Sequence, residues 1–347
     1  MRVAKGLANV IVDQTSISDV QATGLLSYRG RSVEDLVDQD FTSVASLLLG
    51  GVEGLPDRLA AHANLDPAET RLVLAMSPQL HPMSVLQAMV PLVAGSDEES
   101  VLDQGLRIAA KLPAIVATLI NREPVVLDVD LTYAHRFLFA IGGPQDDAAQ
   151  RAFNTAQILQ LEHSFNAGTF ACRVVGSTQA SIGAAISAGI GALSGPLHGG
   201  ADQAALEIVD QHLDEAALTQ YVDAILAQGG RVPGMGHREY RVRDPRAIYL
   251  QEWAEKLARN SEHAATYERL RFLDQLFCQR MLARDKQVYP NVEFYKGLVY
   301  RVLGLPNRFF TAGFAMARVF GYIAHFSENA QDNRIYRPQA EYVEDLH

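Results

Sequence analysis

The chain has 347 residues, 48% hydrophobic and 20% charged, the composition of an ordinary globular protein able to bury a sizeable core in one large or two modest domains. A formal net charge of −10 argues against nucleic acid or an anionic membrane as partner, and no apolar run reaches the ~18 residues of a membrane span. The two cysteines, Cys172 and Cys278, lie in apolar sequence and no apolar signal core follows Met1, so the expectation is a cytoplasmic protein with buried, reduced thiols.

Taken in chain order, only residues 1–31 hint at strands, in Val10-Ile11-Val12 and Gly24-Leu25-Leu26-Ser27-Tyr28. From Ser32 the signals are helical. Ser32 with Asp35, Asp66 with Glu69, and Ser96 with Glu99 resemble capping boxes, and Pro67 takes the favoured first helical position. Residues 101–121 and 151–165 carry helical periodicity, with a weakly alternating, extended stretch from Pro124 to Tyr133 between them. On 151–165, Ala156, Leu159 and His163 fall on one apolar face; such a histidine is either a satisfied core residue or a ligand-binding group.

Residues 183–192 are almost all small, which predicts a helix packed very close to a neighbour. Gly195-Pro196 stops it, and His198 follows, flanked by Gly199 and Gly200 that leave the backbone open to a ligand. Helices are expected at about 202–212 and 215–228. A second glycine-rich loop, 229–238, carries His237 and leads past Arg241 and Arg243 to Asp244-Pro245-Arg246, where Asp244 reads as an N-cap and Arg246 sits in the first turn. Glu293 lies between Val292 and Phe294, a setting that raises a carboxyl pKa if buried. Residues 307–326 form a long apolar helix with Phe310, Phe314, Arg318, Tyr322 and His325 on one face; an arginine there either snorkels to water or meets an acidic partner. The polar tail contains Arg337-Pro338-Gln339.

Metal ligation is poorly supported, because no two histidines share a helical turn and there is no Cys-x-x-Cys. Neither a dinucleotide fingerprint nor a Gly-x-Ser-x-Gly elbow occurs. What remains is three histidines, several arginines and one carboxylate in apolar surroundings, a set suited to acid–base chemistry on a small polycarboxylate.

Three segments carry a resemblance: Gly195–Ala201, Gly236–Tyr240 with Asp244–Ala247, and Tyr289–Tyr295 are similar, in order, to the active-site motifs of the citrate synthase family. Tyr28-Arg29-Gly30, His81-Pro82-Met83 and Arg337-Pro338 also resemble family landmarks, so the likeness spans nearly the whole chain. It implies a mainly α-helical, two-domain fold with a short β-prone N-terminal segment. The large, dimer-forming domain would comprise residues 1–198 and 299–347, and the small mobile domain residues 199–298. It implies a homodimer that condenses acetyl-CoA, a co-substrate, with oxaloacetate, without metal or permanently bound cofactor. By the same resemblance His198 stabilises the enol or enolate and His237 bonds the oxaloacetate ketone as acid. Glu293 is then the base, while His163, Arg246 and Arg318 bind oxaloacetate carboxylates. Arg337 joins them from the other subunit, and Arg241 contacts CoA phosphate.

Three positions depart from the family pattern: Glu293 where aspartate is usual, Gly168 where serine is common, and Gln339 where an arginine often stands. Two alternatives stay open. One is a 2-methylcitrate synthase using propionyl-CoA, since one methyl is discriminated by only ~1–3 kcal/mol. The other is a slow or non-catalytic homologue that binds CoA or dicarboxylates, which Glu293 favours.

Overall fold

A computed structural model describes residues 5–7, 10–96, 98–196 and 198–342. Three short antiparallel strands, β1 (Ser18–Val20), β2 (Leu26–Tyr28) and β3 (Arg31–Ser32), pair Ser18 with Tyr28 and Ser27 with Ser32. Helices α1 (Val33–Leu36), α2 (Phe41–Leu48), α3 (Leu55–Ala60), α4 (Pro67–Ala75) and α5 (Pro82–Leu92) follow. Next come α6 (Val101–Asn121), α7 (Tyr133–Ala140), α8 (Asp147–Gln160), α9 (Ala167–Ser177) and α10 (Ile182–Leu193). Then α11 (Ala201–Gln211), α12 (Glu215–Ala227), α13 (Pro245–Ala258), α14 (Ala264–Leu282), α15 (Val292–Val302) and α16 (Phe310–Gln331) complete a mainly α-helical fold. Among the described residues no helix is long and apolar enough to cross a membrane.

The helices begin where short polar side chains accept from first-turn N–H groups. Asp66 and Glu69 form a reciprocal capping box on α4, and Asp244 caps α13 ahead of Pro245. Each such cap contributes about 1 kcal/mol. Ser32 caps α1 through the Glu34 N–H, without the expected reciprocal bond from Asp35. Ser96 to Glu99 is a turn, and α6 takes Ser100 as its N-cap instead. The expected strand at Val10–Val12 is irregular, with Ile11 91% exposed. The stretch from Pro124 to Tyr133 is not a strand either. There the Leu127 N–H donates to the Asn64 side chain, 2.7 Å away, rather than to a neighbouring strand.

Helix α16 runs through the core, buried along most of its length, and packs on α6, α8, α9 and α10. Phe320 meets Phe41 edge-on at 5.3 Å, and Phe41 stacks on Tyr133 at 4.8 Å. Fully burying each such side chain stabilises the fold by roughly 1.5–3 kcal/mol. The small residues of α10 have the predicted use. A Cβ on Gly183 would lie 3.1 Å from Pro91 of α5, and one on Gly189 2.8 Å from the Tyr322 ring of α16. Helix α15 joins two groups, packing on α11, α13 and α14 on one side and on α8 on the other.

Candidate active site

His163 is not on a helix. Helix α8 ends at Gln160, Ser164 takes a left-handed φ of 51°, and Asn166 opens α9 by accepting from Gly168 and Thr169 N–H. The helix expected over 151–165 is thus cut short, and His163 does not continue the face of Ala156 and Leu159. Asn166, a good N-cap residue, is the signal in the sequence that marks the break. The turn aims the His163 ring at the 229–246 loop, where its Nε2 lies 3.0 Å from the Tyr240 hydroxyl and its ring centre 5.1 Å from that of His237.

His237 is fixed by its own loop. Its Nδ1 accepts from the N–H groups of Glu239 and Tyr240, both at 3.1 Å. Backbone N–H groups can only donate, so Nδ1 is bare and the neutral ring carries its proton on Nε2. That Nε2 lies 3.3 Å from Nη2 of Arg246, also a donor. Two donors so close together call for an acceptor between them. Arg246 is buried at the start of α13 and pairs with Asp244 at 3.0 and 2.8 Å. Asp244 also accepts from the Val292 N–H at 3.1 Å, tying the first turns of α13 and α15 together.

Arg318, 1% exposed on α16, does not snorkel and forms no ion pair among the described residues, contrary to both sequence expectations. Its Nε donates to the Gln160 carbonyl at 2.8 Å, its guanidinium lies over Phe314 at 4.8 Å, and its Nη2 has no partner among the described residues. Burial of a donor without a partner is costly unless something else fills the place. Burial, and then the charges of Arg246 and Arg318 and the neighbouring His237, push His163 well below the ordinary histidine range. The nearby carboxylate Glu162 is already engaged, 3.0 Å from both His325 Nε2 and Ser18 Oγ.

His198 sits in the turn between α10 and α11. Its Nδ1 donates to the Ala192 carbonyl at 3.0 Å, and burial lowers its pKa to about 4, as it does for His237. Both rings are therefore neutral at pH 7. The flanking glycines have a packing reason: a Cβ on Gly199 would come 2.5 Å from the Leu193 carbonyl, and Gly200 has a φ of 105°, which favours glycine.

Glu293 stands in the first turn of α15, capped by Asn291, and is 4% exposed. Its Oε2 accepts from the Ala201 N–H at 2.9 Å, at the start of α11 and three residues beyond His198. Lys296 lies one turn on, 3.4 Å from Oε1. Burial raises the Glu293 pKa, the predicted direction, and Asp202 adds to this while Lys296 opposes it.

Arg241 is exposed at the rim, donating to the Arg238 carbonyl at 2.8 Å, while its N–H reaches Ala22. Arg337 is not brought to this cluster. It is exposed and donates to the neighbouring Pro338 carbonyl at 2.9 Å. Sequence reasoning missed Tyr240, which bridges His163 to the loop, and Lys296, although Glu293 and Lys296 are three apart on one helix face. Cys172 is buried and Cys278 only half-buried; both are free, with thiol pKa values pushed up to about 12 by burial. No group of three or more metal-ligating side chains occurs among the described residues.

Comparison with known proteins identifies the family. The family model for the C-terminal domain of citrate synthase matches residues 6–339. A citrate synthase from Synechocystis sp. is 34% identical, covering 98% of this chain and 91% of its own. A 2-methylcitrate synthase from Shewanella oneidensis is 31% identical, covering 97% and 94%. Among solved structures, citrate synthase from the thermophilic archaeon Thermoplasma acidophilum, in ternary complex with carboxymethyl coenzyme A and oxaloacetate, superposes with a TM-score of 0.92. It is 28% identical, over 100% of this chain and 97% of that one. The family match over nearly the whole chain and the shared fold place the chain in the citrate synthase family.

Proposed function

We propose that this enzyme condenses acetyl-CoA with oxaloacetate and water to give citrate and CoA. The observation that carries the reading is the set of donors around His163: the half-buried His237 Nε2–H, the buried Arg246 Nη2 and the buried Arg318 Nη2, unpartnered among the described residues. Arg246 already pairs with Asp244, whereas Arg318 has no carboxylate within ion-pair distance among the described residues and keeps a donor for a small dianion. Oxaloacetate carboxylates take His163, Arg246 and Arg318, and the ketone oxygen meets His237.

Glu293 then removes a methyl proton from the thioester. A thioester methyl is a very weak acid, so the oxygen charge must be stabilised as it forms. His198 has that role. Its Nδ1–H, which donates to the Ala192 carbonyl in the structure, turns towards the thioester oxygen as part of the step. A neutral imidazole matches the proton affinity of an enol better than a charged one, and burial makes Glu293 a stronger base than a carboxylate in water. His237 protonates or hydrogen-bonds the ketone oxygen as the carbon–carbon bond forms. Arg241, on the rim, meets a CoA phosphate. No metal and no permanently bound cofactor enters the scheme.

Residues 199–298 act as a small mobile domain on a large one formed by 1–198 and 299–347, closing over oxaloacetate to exclude water. The contact of Tyr240 with His163 is one that such closure would make or remodel. The working unit is a homodimer in the cytoplasm, with Arg337 reaching the partner's oxaloacetate; its exposure and purely local bond leave it free to do so. Mixing Arg337→Ala with His198→Ala subunits tests this, because hybrid dimers regain one intact site if the arginine crosses over. No recovery after confirmed subunit exchange removes Arg337 from the role.

The reaction itself is tested by mixing protein and oxaloacetate with acetyl-CoA or propionyl-CoA and following free thiol. Faster release from acetyl-CoA is expected. Preference for propionyl-CoA would make the protein a 2-methylcitrate synthase, as its Shewanella relative is named. No release from either would leave a non-catalytic binding protein.

A further inference from the structure

Lys296 has no exposed surface, and neither has Asp202 of α11, whose Oδ2 lies 2.9 Å from its ammonium. Asp202 Oδ2 is off the direction of a hydrogen bond, so the attraction there is mainly between charges. Glu293 is the second anion, 3.4 Å from Lys296 on the same helix. Two carboxylates and one ammonium leave a net charge of −1 in a buried space. The other faces of Lys296 are aromatic: Phe314 of α16 at 4.4 Å and Tyr300 of α15 at 5.7 Å. The Tyr300 hydroxyl accepts from Gln157 and Gln160, and Arg318 takes up a place beside Phe314 at 4.8 Å. Glu293 has one further neighbour, the Ala201 N–H at the start of α11. The geometry is rigid, because a Cβ on Gly297 would lie 2.8 Å from the Asp202 carbonyl, so α11 and α15 are in close contact at the triad.

An ammonium this deeply buried would lose its proton if isolated. Here burial is outweighed by Asp202 and then Glu293, and the Lys296 pKa rises to about 12. The ammonium is thus permanent and favours the ionised form of Glu293, whereas Asp202 disfavours it. Because Lys296 stands closer to Asp202, it supports the charge of Glu293 without locking the carboxylate in a tight pair. A base needs both properties: ionised before the reaction, and free to take a proton during it.

We propose that Lys296 is a positioning residue for Glu293, and that the opposing pull of Lys296 and Asp202 sets the pH below which the acyl methyl group is no longer deprotonated. This rests on the reading of Glu293 as the base. It adds a residue to the reaction that neither touches the substrate nor takes a proton.

The test is kcat against pH at saturating oxaloacetate and acetyl-CoA, for the full chain and for Lys296→Met and Asp202→Asn, with oxaloacetate affinity measured separately. Lys296 also contributes to the lowering of His198, so the His198 ring is titrated separately by NMR, and an acid limb that moves while His198 stays in place belongs to Glu293. Lys296→Met should move the limb up by about one pH unit or more, a roughly tenfold loss below it. Asp202→Asn should move it down. Oxaloacetate affinity should change by less than about twofold in both, since neither residue contacts the anion pocket. Damage to packing alone does not produce shifts of opposite sign. Limbs that stay in place, or move the same way, overturn the proposal. If Lys296→Met does not fold, Asp202→Asn decides alone: a downward shift supports the proposal, and no shift or an upward one overturns it. Glu293→Gln separates the two layers. If it retains turnover, the base assignment and this inference fall together. If it is inert while the limbs do not move, only the inference about Lys296 falls.

Discussion

The two halves of the candidate site are built on opposite plans. Around His163 the chain buries donors that it does not fully use: Arg318 Nη2 is unpartnered, and His237 Nε2–H faces Arg246 Nη2. Around Glu293 the polar groups largely satisfy one another, through the Ala201 N–H, Lys296 and Asp202. The first half is an incomplete cationic pocket that only a ligand completes. The second is a largely self-satisfied cluster of opposed charges that exists before any ligand arrives. The difference matches the order the proposed chemistry needs, with oxaloacetate bound first and the base already ionised when the thioester reaches it.

Breaking the second half should cost most. Glu293→Gln keeps the shape and hydrogen-bond capacity but cannot take a proton, so kcat should fall by about 10²–10⁴-fold, with oxaloacetate affinity nearly unchanged. Thiol release and calorimetric binding measured together check this, and a Gln variant as fast as wild type removes Glu293 as base. Breaking the first half should act mainly on binding. Arg318→Met keeps the length and loses the charge, and should weaken oxaloacetate by about 1.5–3 kcal/mol, roughly 10–100-fold in Kd. An unchanged Kd would show that the unpartnered nitrogen is not part of the pocket.

The halves also differ in how they respond to acid. His198 and His237 have folded pKa values lowered to about 4, below the ~6.5 of an unfolded chain, so the unfolded state binds more protons in that interval. Their contribution to stability is present above about pH 6.5 and is lost as pH falls towards 4. Glu293, with a raised pKa, works in the opposite sense and softens the loss. Urea unfolding across this window should show lower stability at the acidic end. Replacing His237 by Gln, which cannot gain a charge, should flatten the slope.

The smallest effect lies behind the pocket. Gly168, one of the positions read as departing from the family pattern, is tightly packed. A Cβ there would lie 2.2 Å from the Tyr322 hydroxyl, which donates to the Gly189 carbonyl at 3.1 Å. Gly168→Ala should cost about 1–3 kcal/mol through overpacking. Tyr322→Phe in the same chain should recover part of it by vacating the clash. If Gly168→Ala is neutral in thermal unfolding, Tyr322 has room to move and the close packing is not what keeps glycine there.

The sequence by itself determined the helical class, the helices near 101–121, 202–212 and 215–228, the caps at Asp66 and Asp244, and the close packing of 183–192. Each follows from local rules: periodicity, a short polar oxygen before a first turn, or missing side-chain volume. The motifs also pointed to His163, His198, His237, Arg246, Glu293 and Arg318, which the fold brings into one buried region from segments far apart in the chain. Tertiary structure decided what each of these groups faces. Arg318 looked as if it needed an acid or water and met a backbone carbonyl, because α8 stops at Gln160 and presents that oxygen. His163 lies off the helix for a local reason that Asn166 carried in the sequence, but what its ring faces, Tyr240 and His237, comes from the 229–246 loop. Lys296, missed in the sequence, lies fully buried between Glu293 and Asp202, because α11 packs against α15. The partners that set these two roles, the Gln160 carbonyl for Arg318 and Asp202 for Lys296, come from distant segments of the chain, and local sequence carries no record of which of them arrives.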